Sequence, residues 1–167
     1  LAMMQLMLGT GIRVSECVGL NCSDVDFQNN AIRIHRKGGK EVSIYFSDEV
    51  EQGLRAYMEE RKSKIPAAGH ENALFLSLQN KRMSVRTVEL MVKKYAQKVT
   101  PLKHITPHKL RSSYGTNLYQ ETGDIYLVAD VLGHSDVNTT KKHYAALEEE
   151  RRRSVRNLVR LRKEEGE

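Results

Sequence analysis

Hydrophobic positions recur at helical spacing through most of the chain and alternate at strand spacing in one short stretch. Leu1 to Leu8 is apolar and free of glycine, which predicts the end of a buried helix stopped at Gly9-Thr10-Gly11. Arg13 follows that turn and opens a short helix with Val14, Cys17 and Val18 facing inward. Ala31-Ile32-Arg33-Ile34-His35 and Val42-Ser43-Ile44-Tyr45-Phe46 alternate, and Arg36-Lys37-Gly38-Gly39-Lys40 between them is a tight glycine turn, so a hairpin is expected. From Ser47 a helix runs to about Lys62 with Val50, Leu54, Tyr57 and Met58 as its inner stripe. Ile65 to Asn72 reads as a loop, and Leu74-Phe75-Leu76 as a short strand.

Ser84 caps a second long helix, on which Val85, Val88, Met91, Val92, Tyr95 and Val99 repeat at helical spacing. Thr106 is a helix N-cap and Pro107 suits the first helical position, because the N–H that proline lacks is one a helix start leaves unpaired. On the helix that follows, His108 and Arg111 share a face while Leu110, Tyr114 and Leu118 lie on another. Asp124 caps a further helix that buries Ile125, Leu127, Val128, Val131 and Leu132 and ends at Gly133. Asp136 starts a short helix leading to Tyr144, and Leu147 to Glu167 is a charged helical tail with Leu147, Val155, Leu158, Val159 and Leu161 as a narrow apolar stripe. The fold class expected is α+β, mainly helical, with a small antiparallel sheet built from the hairpin and Leu74–Leu76.

Composition narrows the function. With 167 residues, 40% of them hydrophobic, one domain with a proper core is expected, not two full ones. No apolar run is long enough to span a bilayer and no signal-peptide pattern precedes it, so a cytoplasmic protein is expected. Leu1 falls inside an apolar stretch, which reads as a fragment of something longer. Lys plus Arg exceed Asp plus Glu by 27 to 21, a formal charge of +6, and the excess is local. Between Lys81 and Arg111 nine basic residues face a single acid, Glu89. So little interleaved acid favours a polyanion, and Arg82 and Arg86 at the start of the second long helix suit DNA phosphate contacts that position without reading sequence. Cys17 and Cys22 are too few and wrongly spaced for a zinc site or disulfide framework and read as buried thiols.

His108 and Arg111 at a helix N-terminus place an imidazole and a guanidinium where unpaired N–H groups already favour an anion, the outline of a phosphate site. With them stand Gly9-Thr10-Gly11-Ile12-Arg13-Val14-Ser15-Glu16 upstream, Leu132-Gly133-His134-Ser135 downstream, and Tyr144 ten residues after His134. In this order and at these separations the pieces resemble the catalytic domain of the tyrosine recombinases, the phage and transposon integrase family. The likeness extends over nearly the whole chain, residues 1–167 as a single catalytic domain, with 147–167 as a C-terminal tail.

The resemblance implies that fold and a set of roles. Arg13 and Arg111 would stabilise the non-bridging oxygens of a DNA phosphate, with Glu16 in support. His108 would orient the phosphate or accept a proton, and His134 would donate a hydrogen bond to it. Tyr144, not Tyr126, Tyr119 or Tyr114, would be the nucleophile. Lys37, immediately before the first hairpin glycine, would be the acid, with Lys40 its rival. Lys40 and Lys109 join Arg82 and Arg86 as expected DNA contacts.

The implied chemistry is site-specific recombination through a 3′-phosphotyrosine, needing no cofactor, metal or ATP. The implied partners are double-stranded DNA and further copies of the protein, as a tetramer joined through the tail. The resemblance also implies a separate DNA-clamping helical domain ahead of this one. Two other readings stand beside it: a type IB topoisomerase, which shares the chemistry but relaxes supercoils, and a catalytically silent DNA-binding module.

Overall fold

Helix α1 (Ala2–Thr10) ends where Gly11 takes a left-handed φ of 67° and returns its N–H to the Met7 carbonyl. The computed structural model describes residues 1–36 and 38–158. These fall in two units, Leu1–Gly115 and Thr116–Glu167.

In the first unit α2 (Val14–Gly19) follows directly, then a single 3₁₀ turn and the strands β1 (Val25–Asp26), β2 (Ala31–Arg36) and β3 (Lys40–Tyr45). The sheet is antiparallel in the order β1-β2-β3, with Ile32 opposite Ile44 and Ile34 opposite Val42. Ile32, Ile34 and Ile44 are buried, so alternation places one sheet face on the core. Helix α3 (Asp48–Lys62) begins at Ser47, whose hydroxyl accepts the Val50 N–H at 3.4 Å. Its first turn is acidic and its last basic, matching the helix dipole at both ends. Val50 and Leu54 from α3 share a core with Leu6 and Met7 of α1, and α4 (Val85–Val99) adds Val88 and Val92. Helix α5 (Pro107–Thr122) starts as expected, with the Thr106 hydroxyl accepting the Lys109 N–H at 3.2 Å.

The third strand is not the one expected. Val25–Asp26 pairs with β2, whereas residues 74–76 form no ladder and Leu76 makes only an isolated bridge to Arg82. Side chains take up the backbone groups that a neighbouring strand would have used. The Tyr57 hydroxyl donates to the Leu74 carbonyl at 2.8 Å and accepts the Leu76 N–H at 3.1 Å. Arg61, buried in the last turn of α3, donates to the Ala73 and Glu71 carbonyls at 2.9 to 3.2 Å. A guanidinium with five donors can close a loop in this way, and periodicity does not register it.

The second unit contains α6 (Ile125–Leu132), α7 (Val137–His143) and α8 (Ala145–Ser154). The Asp124 carboxylate caps α6 by accepting the Tyr126 and Leu127 N–H groups at 3.0 Å, and Gly133 ends it with φ 71°. Ile125, Val128, Ala129 and Leu132 form its buried side against α7. Leu127, expected inside, is exposed: it lies two positions from Ile125 and so on the other side of the helix. In the tail Leu147 is half-buried, Val155 and Leu158 are exposed, and Val159 and Leu161 lie outside the described residues.

Tyr57→Phe removes one hydroxyl and strips two loop backbone groups of their partner. It should lower unfolding stability by about 1 to 3 kcal/mol, read by urea denaturation, with the helical signal of the native state unchanged.

Candidate active site

In the first unit the site grows from the turn after α1. Only a residue tolerant of positive φ places the Gly11 carbonyl as it stands, and Arg111 of α5 donates through Nη1 to that carbonyl. Arg111 is 8% exposed. The bond fixes its guanidinium to a peptide group two residues ahead of Arg13, so the segment that carries one arginine is anchored by the other. Arg13 is the N-cap of α2 and its side chain is exposed.

Glu16 braces the same turn. One carboxylate oxygen accepts the Arg13 N–H at 3.1 Å and the other lies 3.4 Å from Arg36 Nε, with both side chains of this ion pair largely buried. Arg36 ends β2, so Glu16 ties the hairpin stem to the start of α2. Lys37, the next residue, lies outside the described residues.

His108 and Lys109 are exposed in the first turn of α5, which contains no acid. Beside them is a cavity of about 390 Å³, with Val14, Leu90, Ile105 and Pro107 as apolar wall and Arg86, Lys93, His104 and His108 among its polar lining. A concentration of cations at a helix N-terminus raises local potential for an anion.

Arg86 is exposed, with Glu89 3.5 Å away, and Lys40 is exposed at the start of β3. Arg82 departs from expectation. Its guanidinium donates to the Val18 carbonyl at 3.0 Å, the Leu20 carbonyl at 2.8 Å and the Asn21 side-chain oxygen. Those bonds make it a clamp across α2's C-terminal end. Three of its five donors are committed to the protein in this way.

In the second unit Gly133 turns the chain out of α6 and presents His134, whose N–H returns to the Ala129 carbonyl at 2.9 Å. His134 Nδ1 shares a hydrogen bond with the hydroxyl of Thr140, which is fully buried. The carbonyl of the same Thr140 accepts the Tyr144 N–H at 3.1 Å. One threonine therefore holds both segments that carry the second unit's candidate groups.

The Tyr144 ring is 4% exposed. It stacks on Tyr119 with centroids 5.9 Å apart and planes at 25°, and meets His143 edge-on at 4.8 Å. Burial raises the pKa of the Tyr119 phenol, with the Glu148 carboxylate adding to the effect. The Cys17 thiol, in the first unit, is pushed up to about 12 by burial alone, which leaves it protonated and inert.

Sequence reasoning passed over Thr140, Tyr119 and Arg36. Thr140 sits six residues after His134, a spacing that acquires meaning only once α7 turns its first two turns back toward Gly133. Tyr119 was named only as a tyrosine other than the nucleophile.

The phage integrase family model matches residues 1–151 of this chain. The chain belongs to that family. Tyrosine recombinase XerC of Chromobacterium violaceum is 37% identical over 144 residues, covering 86% of this chain and 47% of that protein. Tyrosine recombinase XerC of Actinobacillus pleuropneumoniae is 35% identical over 141 residues, covering 84% and 45%. The chain thus spans about half the length of the curated relatives it matches. Among solved structures, XerA recombinase superposes with a TM-score of 0.80 at 30% identity, over 92% of this chain and 57% of that one. The Tn1549 transposon integrase in complex with circular intermediate DNA gives 0.70 at 28% identity, over 86% and 52%. The integrase fold is therefore the fold of this chain, mainly helical with its small sheet.

Thr140→Val keeps the shape of the side chain and removes the hydroxyl. Stability should fall by about 1 to 2 kcal/mol in urea titration, and the tautomer balance of His134, read by long-range proton–nitrogen correlation, should move away from that of the parent.

Proposed function

We propose that this chain is the catalytic domain of a site-specific DNA recombinase that cuts and rejoins strands through a phosphotyrosine. The observation that carries the reading is the Arg111 bond to the Gly11 carbonyl, which ties one family arginine to the turn two residues before the other. Membership of the phage integrase family supports it, as do relatives named as tyrosine recombinases and a structural neighbour bound to its transposon's circular intermediate DNA.

The phenol oxygen of Tyr144 attacks phosphorus, and its proton passes to His108. The bond from phosphorus to the sugar 5′ oxygen breaks, and that oxygen takes a proton from Lys37. The products are a free 5′-hydroxyl and a 3′-phosphotyrosine, so the bond energy is retained. A 5′-hydroxyl from another strand reverses the step without ATP. Arg13 and Arg111 stabilise the extra charge on the non-bridging oxygens, and His134 donates to one of them. These cations occupy the place that metal ions take in many phosphoryl-transfer enzymes, and no metal or other cofactor enters. The reaction requires the groups of both units on one phosphorus atom, which is the sense in which residues 1–167 are one catalytic domain.

Phosphates along the flanking duplex meet Arg86, Lys93, Lys94, Lys40 and Lys109, all of them exposed. The protein works in the cytoplasm, where its DNA lies, and serves a mobile element's integration. It assembles on DNA as a tetramer through the tail, in support of which Val155 and Leu158 present apolar surface to solvent.

A library of randomised nicked duplexes, with covalent adducts recovered by phenol partition, identifies the cut site. On that duplex the intact protein should form a 3′-phosphotyrosine in EDTA, and Tyr144→Phe should form none; an adduct that persists in Tyr144→Phe defeats the assignment. Replacing Lys93 and Lys94 together with alanine should weaken binding to all duplexes alike and reduce the slope of log affinity against log salt by about 2.

A further inference from the structure

We propose that Tyr119 is a positioning residue for the reaction: its ring is the platform that sets the direction of the Tyr144 phenol. The inference rests on Tyr144 being the nucleophile and goes beyond that reading, since it gives a role to the buried Tyr119, which has none there.

Tyr144 and Tyr119 are the two tyrosines of the described chain that are buried, each 4% exposed, and they are each other's neighbours. A tyrosine side chain has two torsions of its own. The second turns the ring about the axis that carries the phenol oxygen and leaves that oxygen where it is. The first swings ring and oxygen together, starting from a backbone held where Tyr144 closes α7 with its N–H on the Thr140 carbonyl. A near-parallel ring at 5.9 Å blocks the swing toward Tyr119, and His143 packs against the ring at 88°. In-line attack on phosphorus tolerates little error in the direction of the oxygen, and orienting a nucleophile in advance is among the larger sources of rate.

Tyr119 lines a cavity of about 230 Å³ with Leu147, Arg151 and Ser154 of α8, and Arg151 Nη1 donates to the Gln120 carbonyl at 3.4 Å. Helix α8 follows Tyr144 directly, so the segment carrying the nucleophile bonds back to the helix that carries Tyr119. Burial pushes the pKa of the Tyr119 phenol up, which favours its neutral form. Aromatic stacking of this kind needs a ring and not a hydroxyl. Phenylalanine at 119 therefore satisfies the role, and leucine or methionine does not.

The test uses the intact protein and the duplex recovered from the randomised library. Tyr119→Phe should form adduct within about threefold of the parent rate, while Tyr119→Leu and Tyr119→Met should lose about tenfold or more in single-turnover cleavage with duplex affinity unchanged. The loss should be as large on a duplex whose 5′-bridging oxygen at the cut is replaced by sulfur. That leaving group needs no acid, so only a defect on the nucleophile's side survives the replacement.

Cleavage by the leucine and methionine variants at the parent rate overturns the inference, and so does recovery of their rate on the sulfur duplex. A rate that falls only in step with lost folding or lost binding also overturns it. A second measurement needs no variant at 119. With 3-fluorotyrosine incorporated and the Tyr144 resonance assigned through Tyr144→Phe, its ring-current shift should persist when the duplex is bound. Collapse of the shift to the free fluorotyrosine position on binding overturns the inference, because the stack would then be a resting contact. If the parent protein forms no adduct, or Tyr144→Phe forms one, the proposed function falls and this inference with it.

Discussion

The hydrogen bond from Arg111 to the Gly11 carbonyl is the constraint on which the candidate phosphate site in the first unit depends. It joins positions 100 residues apart in the chain. A guanidinium left to solvent would sample many orientations, and ordering it at the moment of reaction would cost free energy each time. Here the cost is met once, on folding: burial removes most of the freedom of Arg111, and the backbone carbonyl fixes the plane of its donors. That carbonyl points where it does because Gly11 occupies the left-handed region as the C-cap of α1, and α1 is held in turn by Leu6 and Met7 in the core. The chain of cause runs from two apolar helix positions through one glycine to the direction of a charged group.

Two different kinds of force govern the candidate groups. Those of the first unit are set by polar contacts to backbone, as with Arg111, and by the carboxylate of Glu16, which spans the Arg13 N–H and Arg36. Such bonds are directional and shielded from salt where they are buried. Tyr144 in the second unit meets ring faces and edges, while its backbone bonds to the Thr140 carbonyl and the Glu148 N–H. Ring contacts are short-ranged and weakly directional, so they hold a plane while permitting slip within it. A phosphate-binding cradle gains from rigidity. A nucleophile that must approach, bond and later leave the same phosphorus is better served by the softer restraint.

Much of this was legible in the sequence, for physical reasons that differ by element. Ser47, Ser84, Thr106, Asp124 and Asp136 announced helix starts because capping is a local interaction between a side chain and the next turn's N–H groups. The hairpin was legible because alternation and a glycine turn are also local. The third strand was misplaced because the apolar run at 74–76 satisfies its backbone through Tyr57 and Arg61, a hydroxyl and a guanidinium from another helix. Pattern reading sees that those residues are polar or aromatic, but not that they can stand in for a strand. The bonds of Arg82 were hidden in the same way: read as a DNA phosphate contact ahead of a basic helix, it is bound to three oxygens around α2. The candidate site was legible through its family spacing. Its supports, Thr140 and Tyr119, were not, since each matters only through a neighbour that the fold brings to it.

Thr140 carries this point further. Its hydroxyl meets His134 and its carbonyl meets the N–H of Tyr144, so a single buried residue couples the orientation of a candidate phosphate donor to that of the candidate nucleophile. A rotation of α7 that carried Tyr144 away would strain or break the His134 contact as well, because both bonds leave the same residue in different directions. Moving Thr140 away with α7 while His134 stays in place therefore costs the hydrogen bond between them, about 1 to 3 kcal/mol.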